Sequence, residues 1–136
     1  MKKRISVFVL LFFMLNVYSQ KNRVSVSHSE YGMKLVVNGA DFMTAKLTGV
    51  KLAGANLSSA EFPYADLTKA YLFEANFTNA YLFGADLTGA DLTNANLTDA
   101  DLTDVTLANS NLTNANLTGA NLLDADLTDA ILTNAT

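Results

Sequence analysis

The sequence predicts an all-β solenoid, and three observations point to it. A five-residue phrase that begins at Ala40-Asp41-Phe42-Met43-Thr44 recurs down to Ala130-Ile131-Leu132-Thr133-Asn134, 19 copies without insertion or deletion. The first and third residues are apolar, small then large, in every phrase but the one that starts at Ser110, so they share one side of a short extended segment. The last two are Thr, Ser, Gly, Asn or Asp in most copies, residues that favour turns. A helix is excluded, because five residues at about 100° each overshoot a full turn by about 140° and scatter the apolar positions around every side. A long strand fails too, since a period of two cannot stay in phase with five. Each phrase is therefore a short edge and a corner, and edges that bury one side toward a common axis wind into stacked coils.

In chain order, residues 1–19 read as a targeting segment. Lys2-Lys3-Arg4 is a positive start, residues 5–15 are apolar apart from Ser6, and Val17 and Ser19 occupy the small-residue places of a cleavage site before Gln20. The apolar run is shorter than the ~20 residues a spanning helix needs, so a secretory signal is expected and no stable membrane span after processing. With no cysteine in the chain, a thioether lipid anchor, a disulfide framework and a thiolate metal site are all excluded. Removal of residues 1–19 would take the net charge from -4 to -7, with six basic and thirteen acidic residues left.

Residues 20–39 differ in composition. Val24-Ser25-Val26 alternates, Glu30-Tyr31-Gly32 has turn character, and an apolar run over residues 33–37 ends in Asn38-Gly39. Two short strands around a turn are predicted, acting as a cap on the first coil, because the open end of a repeat stack exposes core and unpaired backbone. The repeat grid extends weakly backwards through Leu35 and Val37. His28, the one histidine, lies in a polar Ser-His-Ser context here and reads as a surface residue.

From residue 40 the interior follows from register. The central positions are Phe42, Leu47, Leu52, Leu57, Phe62, Leu67, Leu72, Phe77 and then Leu at every fifth residue from Leu82 to Leu132. The small inward positions are Ala except at Val50, Val105 and Ser110. Ser110 is expected to hydrogen-bond a nearby carbonyl. Asn56, Asn76, Asn96 and Asn116 recur every 20 residues, and in a coil of four phrases they would form a column whose amides are expected to bond along it.

The phrase Ala-(Asp/Asn)-Leu-x-x resembles the pentapeptide-repeat family, and it covers residues 40–135. The resemblance implies a right-handed quadrilateral β-helix with four phrases per coil, hence nearly five coils here. Four outer faces follow, with residues 20 apart in one column. One of them collects Met43, Pro63, Phe83 and, beside them, Tyr64 and Tyr81; the opposite face holds Tyr71 and Phe73. Such apolar outward residues on a polar solenoid mark a candidate surface for a protein or glycan partner.

Charge narrows the function classes. The last basic residue is Lys69, and from Ala70 onward there are nine acidic residues and no Lys or Arg. Such a surface repels nucleic acid, which needs clustered cations. The stacked carboxylates Asp101, Asp104, Asp124, Asp126 and Asp129 lack the dedicated loop of a calcium site, so no metal is expected. Catalytic and cofactor sites are not expected either: there is no cysteine, no phosphate-cradling glycine loop and no long loop to carry reactive groups. The sequence thus predicts an exported, non-enzymatic structural or interaction scaffold. The resemblance also implies an alternative, since some pentapeptide-repeat proteins are acidic rods that imitate duplex DNA and bind gyrase; the signal segment disfavours it. The repeat grammar persists to Thr136 without a cap, which predicts end-to-end self-association or a longer protein.

Overall fold

The structure, a computed structural model, describes residues 25–29, 32–36 and 39–136. The targeting segment expected over residues 1–19 lies outside the described residues. Strand β1 (Ser25–Ser29) pairs antiparallel with β2 (Gly32–Val36), with Val26 opposite Leu35 and His28 opposite Met33. Leu35 therefore belongs to a strand pair and not to the coil, which begins at Gly39, whose N–H already donates to the Ser58 carbonyl one coil on.

From there the chain winds with a period of 20 residues. Fifteen parallel bridges, from Asp41↔Glu61 to Asn111↔Ile131, join each edge residue to the one 20 positions later. At five residues per edge, that makes four edges per coil. The edges are single bridge pairs rather than continuous strands, because a corner interrupts the ladder every five residues. We number the four faces by their first edges, at residues 40–44, 45–49, 50–54 and 55–59; face 3 thus lies opposite face 1.

The backbone pairing explains why the phrase has five residues. In the phrase that starts at Ala65, the Asp66 N–H donates back one coil to Ala45 at 2.9 Å, while the Leu67 and Lys69 N–H groups donate forward to Asp86 and Thr88 at 2.7 and 2.9 Å. The Ala70 N–H turns back to the Leu67 carbonyl at 3.0 Å and closes the corner. Only the N–H of the fourth residue, Thr68, points away from the ladder, and the Asp66 carboxylate accepts it at 3.1 Å. All five amides are satisfied, as buried or half-buried backbone requires.

Two residue preferences follow. The second residue of the phrase must be able to reach the N–H two positions on, which is the reach of Asp or Asn in an Asx turn. All twelve Asp and Asn residues at that position do so, at 2.9–3.2 Å. Many of the Thr hydroxyls two residues on donate to the same oxygen at 2.6–2.7 Å. The column of Asn56, Asn76, Asn96 and Asn116 thus serves mainly to cap corners; the amide-to-amide link expected there appears between Asn76 and Asn56 at 3.2 Å. A second amide column runs at the corners, from Asn134 to Asn114 to Asn94, at 3.1 Å each.

The fifth residue of every phrase has positive φ, between 54° and 72° from Gly39 to Asn134. With the Ala70-to-Leu67 type of bond, this is a type II turn, whose third residue must be left-handed. Gly, Asn and Asp tolerate that conformation; other residues lose about 1–2 kcal/mol. Only Thr44, Ser59, Tyr64, Lys69 and Glu74 depart from those three types, all in the first half of the coil.

Inside, the alternation of small and large residues fills the coil as the register predicts. Ala55 to Ala115 and Leu57 to Leu112 are buried almost completely, and each such Leu contributes roughly 1.5–3 kcal/mol of burial. Phe42 and Phe62 stack at 4.6 Å, and Phe77 meets Phe62 edge-on at 5.9 Å. In the last coil the cover thins, and Leu132 is 42% exposed.

Ser110 departs from expectation. Its Oγ is buried and has no hydrogen-bond partner. The inward position faces side chains only, because the neighbouring carbonyls lie along the ladder: the Ala90 and Ser110 carbonyls accept from Asn111 and Ile131. A buried hydroxyl left unpaired costs about 1–3 kcal/mol. Ser110→Ala should therefore raise the free energy of unfolding by about that amount in a denaturant melt; an unchanged or lower midpoint would mean the hydroxyl is bonded. Asn96→Ala removes the cap on the Thr98 N–H and should lower stability by about 1 kcal/mol in the same assay.

Candidate functional site

The twelve capping Asp and Asn residues are occupied by the fold. Seven phrases carry something else at that place: Lys46, Lys51, Glu61, Tyr71, Tyr81, Thr106 and Ile131. These, with the residues around them, are where the outside of the coil is not dictated by its backbone.

Glu61 is followed two residues later by Pro63, which has no N–H to cap and suits the second place of a type II turn. Pro63 is buried, so it does not form the outward surface expected of it; it completes a corner beneath the aromatic residues. Tyr64, at the left-handed corner with φ 57°, is 59% exposed. Its ring lies over Gly84, where an added Cβ would come within 2.8 Å of two ring carbons. Phe83 meets Tyr64 edge-on at 5.3 Å and 89°, and Tyr81 lies parallel to Phe83 at 6.1 Å and 8°. Tyr64, Tyr81 and Phe83 thus form one connected aromatic cluster on face 1, with Gly84 as its floor. Met43, 58% exposed, lies one rung below Pro63 in the same column.

Tyr71 and Phe73 are not part of this cluster. They lie on face 3, exposed at 53% and 39%, and the Lys51 ammonium sits 5.8 Å from the Tyr71 ring centre. Lys51 precedes Tyr71 by 20 residues and is bridged to it, so the pairing was legible in the spacing. The role of Gly84 was not, because nothing local marks which side chain will cover a glycine one coil away.

The charges divide unevenly. Face 1 carries Asp41, Glu61, Asp101, Asp104 and Asp124 and no Lys or Arg, whereas Lys46 and Lys69 lie on face 2 and Lys51 on face 3. Two carboxylates are held below the usual carboxylate range. At Asp66 the cause is first the Thr48 hydroxyl, at 2.7 Å, and then the Thr68 hydroxyl and N–H; at Asp126 it is the Thr128 hydroxyl and then its N–H. A carboxylate whose folded pKa is depressed contributes stability above its unfolded pKa and loses it as pH falls through the folded value. Asp66 is a half-buried corner cap and Asp126 an exposed one, and the bonds that lower both are those of the caps and of a neighbouring Thr hydroxyl. Among the described residues, no group of three or more His, Cys, Asp or Glu could hold a metal ion, and no helix is long and apolar enough to cross a membrane.

Comparison with known proteins agrees with this architecture. The family model described as pentapeptide repeats matches in 8 copies over overlapping stretches from residue 40 to residue 134. A pentapeptide repeat protein from the thylakoid lumen of Arabidopsis thaliana is 35% identical with a TM-score of 0.64; the match covers 72% of this chain and 65% of that one. Rfr23, a pentapeptide repeat protein from the cyanobacterium Cyanothece 51142, is 28% identical with a TM-score of 0.63, over 75% of this chain and 85% of that one. This chain thus spans a little less than two thirds of the Arabidopsis protein. Among functionally curated proteins, none matches significantly. A repeat matched over most of the chain, on a coil of four pentapeptides per turn, makes this protein a member of the pentapeptide repeat family.

Proposed function

We propose that the protein is an exported, non-enzymatic scaffold that meets a protein or glycan partner through face 1. The observation that carries this reading is the aromatic cluster. Tyr64, Tyr81 and Phe83 neither cap a corner through their side chains nor enter the core, and Tyr64 holds a left-handed backbone at a cost of about 1–2 kcal/mol. Large aromatic side chains left on the surface at an energetic cost are characteristic of contact sites. Residues 1–19 act as a cleaved signal, residues 20–39 cover the first coil, and the coil winds right-handed as the family resemblance implies. The Arabidopsis relative comes from the thylakoid lumen, a compartment reached by export, which supports the localisation.

The competing reading is an acidic rod that takes the place of duplex DNA on a topoisomerase. It draws on the absence of Lys and Arg after Lys69. The two differ in compartment. Fractionation with N-terminal sequencing should recover a chain beginning at Gln20 outside the cytoplasm; a full-length cytoplasmic chain would favour the topoisomerase reading instead. The surface has its own test. Tyr81→Ala combined with Phe83→Ser should abolish recovery of the partner from native extracts while the melting profile stays cooperative, and undiminished recovery would remove face 1 from consideration.

A further inference from the structure

Tyr71 and Tyr81 occupy the same place in their phrases, each bridged to the residues 20 before and 20 after. Their ladders differ in one respect. On face 3 the order is Lys51, Tyr71, Asp91, and the Lys51 ammonium lies 5.8 Å from the tyrosine ring centre. On face 1 the order is Glu61, Tyr81, Asp101. The protein thus supplies a cation to one tyrosine from its own chain, while the other is 40% exposed between two carboxylates on a face that carries no Lys or Arg.

We propose that face 1 receives an arginine-bearing basic segment of a partner protein, whose guanidinium stacks on Tyr81 where Lys51 stands over Tyr71. This rests on the reading of face 1 as the contact surface and names what it contacts. A guanidinium suits the place for two reasons. Its plane stacks on an aromatic face and remains charged there. Glu61 one rung below the ring and Asp101 one rung above it, about 10 Å apart at strand spacing, flank the stacked group. Glu61, which caps no corner, and Asp101 Oδ2, since the Thr103 cap uses only Oδ1, accept its N–H donors or those of neighbouring basic residues. Tyr64 and Phe83 extend the apolar centre of the patch beside it, and Asp104 continues the acidic rim, so the complement is a segment with basic residues around an apolar contact. A neutral glycan would use the rings but would bring no cation to Glu61 or to the second oxygen of Asp101.

The test uses the full chain and a labelled octa-arginine peptide as the probe, read by fluorescence anisotropy. Saturable binding is expected, weaker with octa-lysine and absent with octa-glutamate. Glu61→Lys should place an internal cation under Tyr81, as Lys51 is placed under Tyr71, and weaken octa-arginine binding by about tenfold or more, as should Tyr81→Ala. Lys51→Glu should do the converse, opening the Tyr71 ladder and raising the stoichiometry from one peptide to two. Lack of saturable binding, or equal affinity in Glu61→Lys and the unaltered protein, overturns the proposal. So does an equal loss from Asp126→Asn with Asp129→Asn on face 2, which would show a diffuse attraction to acid. Chitohexaose runs in parallel: binding that needs Tyr81 but ignores Glu61→Lys would make the partner a glycan and keep face 1 as the surface. Partner recovery from extracts separates the two levels in the same way. Loss with Tyr81→Ala and Phe83→Ser but not with Glu61→Lys sinks the cation alone, whereas no loss with any of them sinks the surface.

Discussion

Everything in this molecule depends on where five backbone N–H groups go. In a phrase with a coil on either side, three of them bond to adjacent coils, one closes the corner, and one is left over. A coil built this way needs a fifth residue that accepts a left-handed conformation, and it is favoured wherever the leftover amide finds an acceptor, as it does in the twelve phrases with Asp or Asn in the second place. Burial of Leu and Ala supplies much of the driving force, but apolar burial is not directional. The corner is what converts a collapsed apolar chain into a coil with a fixed period, and it explains the Asp or Asn in the second place and the Gly, Asn or Asp in the fifth.

The interior was legible from the sequence because it depends on register alone. A one-residue slip would expose every Leu, so unbroken spacing from Phe42 to Leu132 leaves one solution. The outside was less legible, for a physical reason. An outward residue has two sets of neighbours, those in its own phrase and those 20 residues away, and only the spacing of the second set is visible in a sequence. Asn76 was therefore expected to bond Asn56, which it does, while its bond to the Thr78 amide went unseen. Pro63 was grouped with exposed aromatics because its column is outward, yet a proline in that turn lies close to the backbone, under its larger neighbours. Ser110 was expected to find a carbonyl, but carbonyls in a coil aim along the stack and not into it. In each case the residue's column was read correctly, and what went unseen was set by the local backbone: an extra bond for Asn76, the depth of Pro63, the lack of a carbonyl for Ser110.

The departures from the repeat are also unevenly spread along the axis. The five corners that lack Gly, Asn or Asp lie between Thr44 and Glu74, and the three coil lysines lie between Lys46 and Lys69. The later coils keep to the favoured residues at every corner. In a stack where each coil touches only its neighbours, a local penalty must be offset locally. The early coils have the means: Phe42, Phe62 and Phe77, the only core phenylalanines among the described residues, pack together there, and aromatic pairs add about 0.5–1.5 kcal/mol beyond their area. That excess is of the same order as the cost of a disfavoured corner. The coils that carry Tyr64 and Tyr71 are thus the ones whose interior tolerates non-ideal corners, and the Tyr81 edge stacks directly on the Phe62 layer. The regular later coils extend the rod and its acidic face; the strained early coils, held by a heavier core, are where the chain could vary its surface without losing the fold.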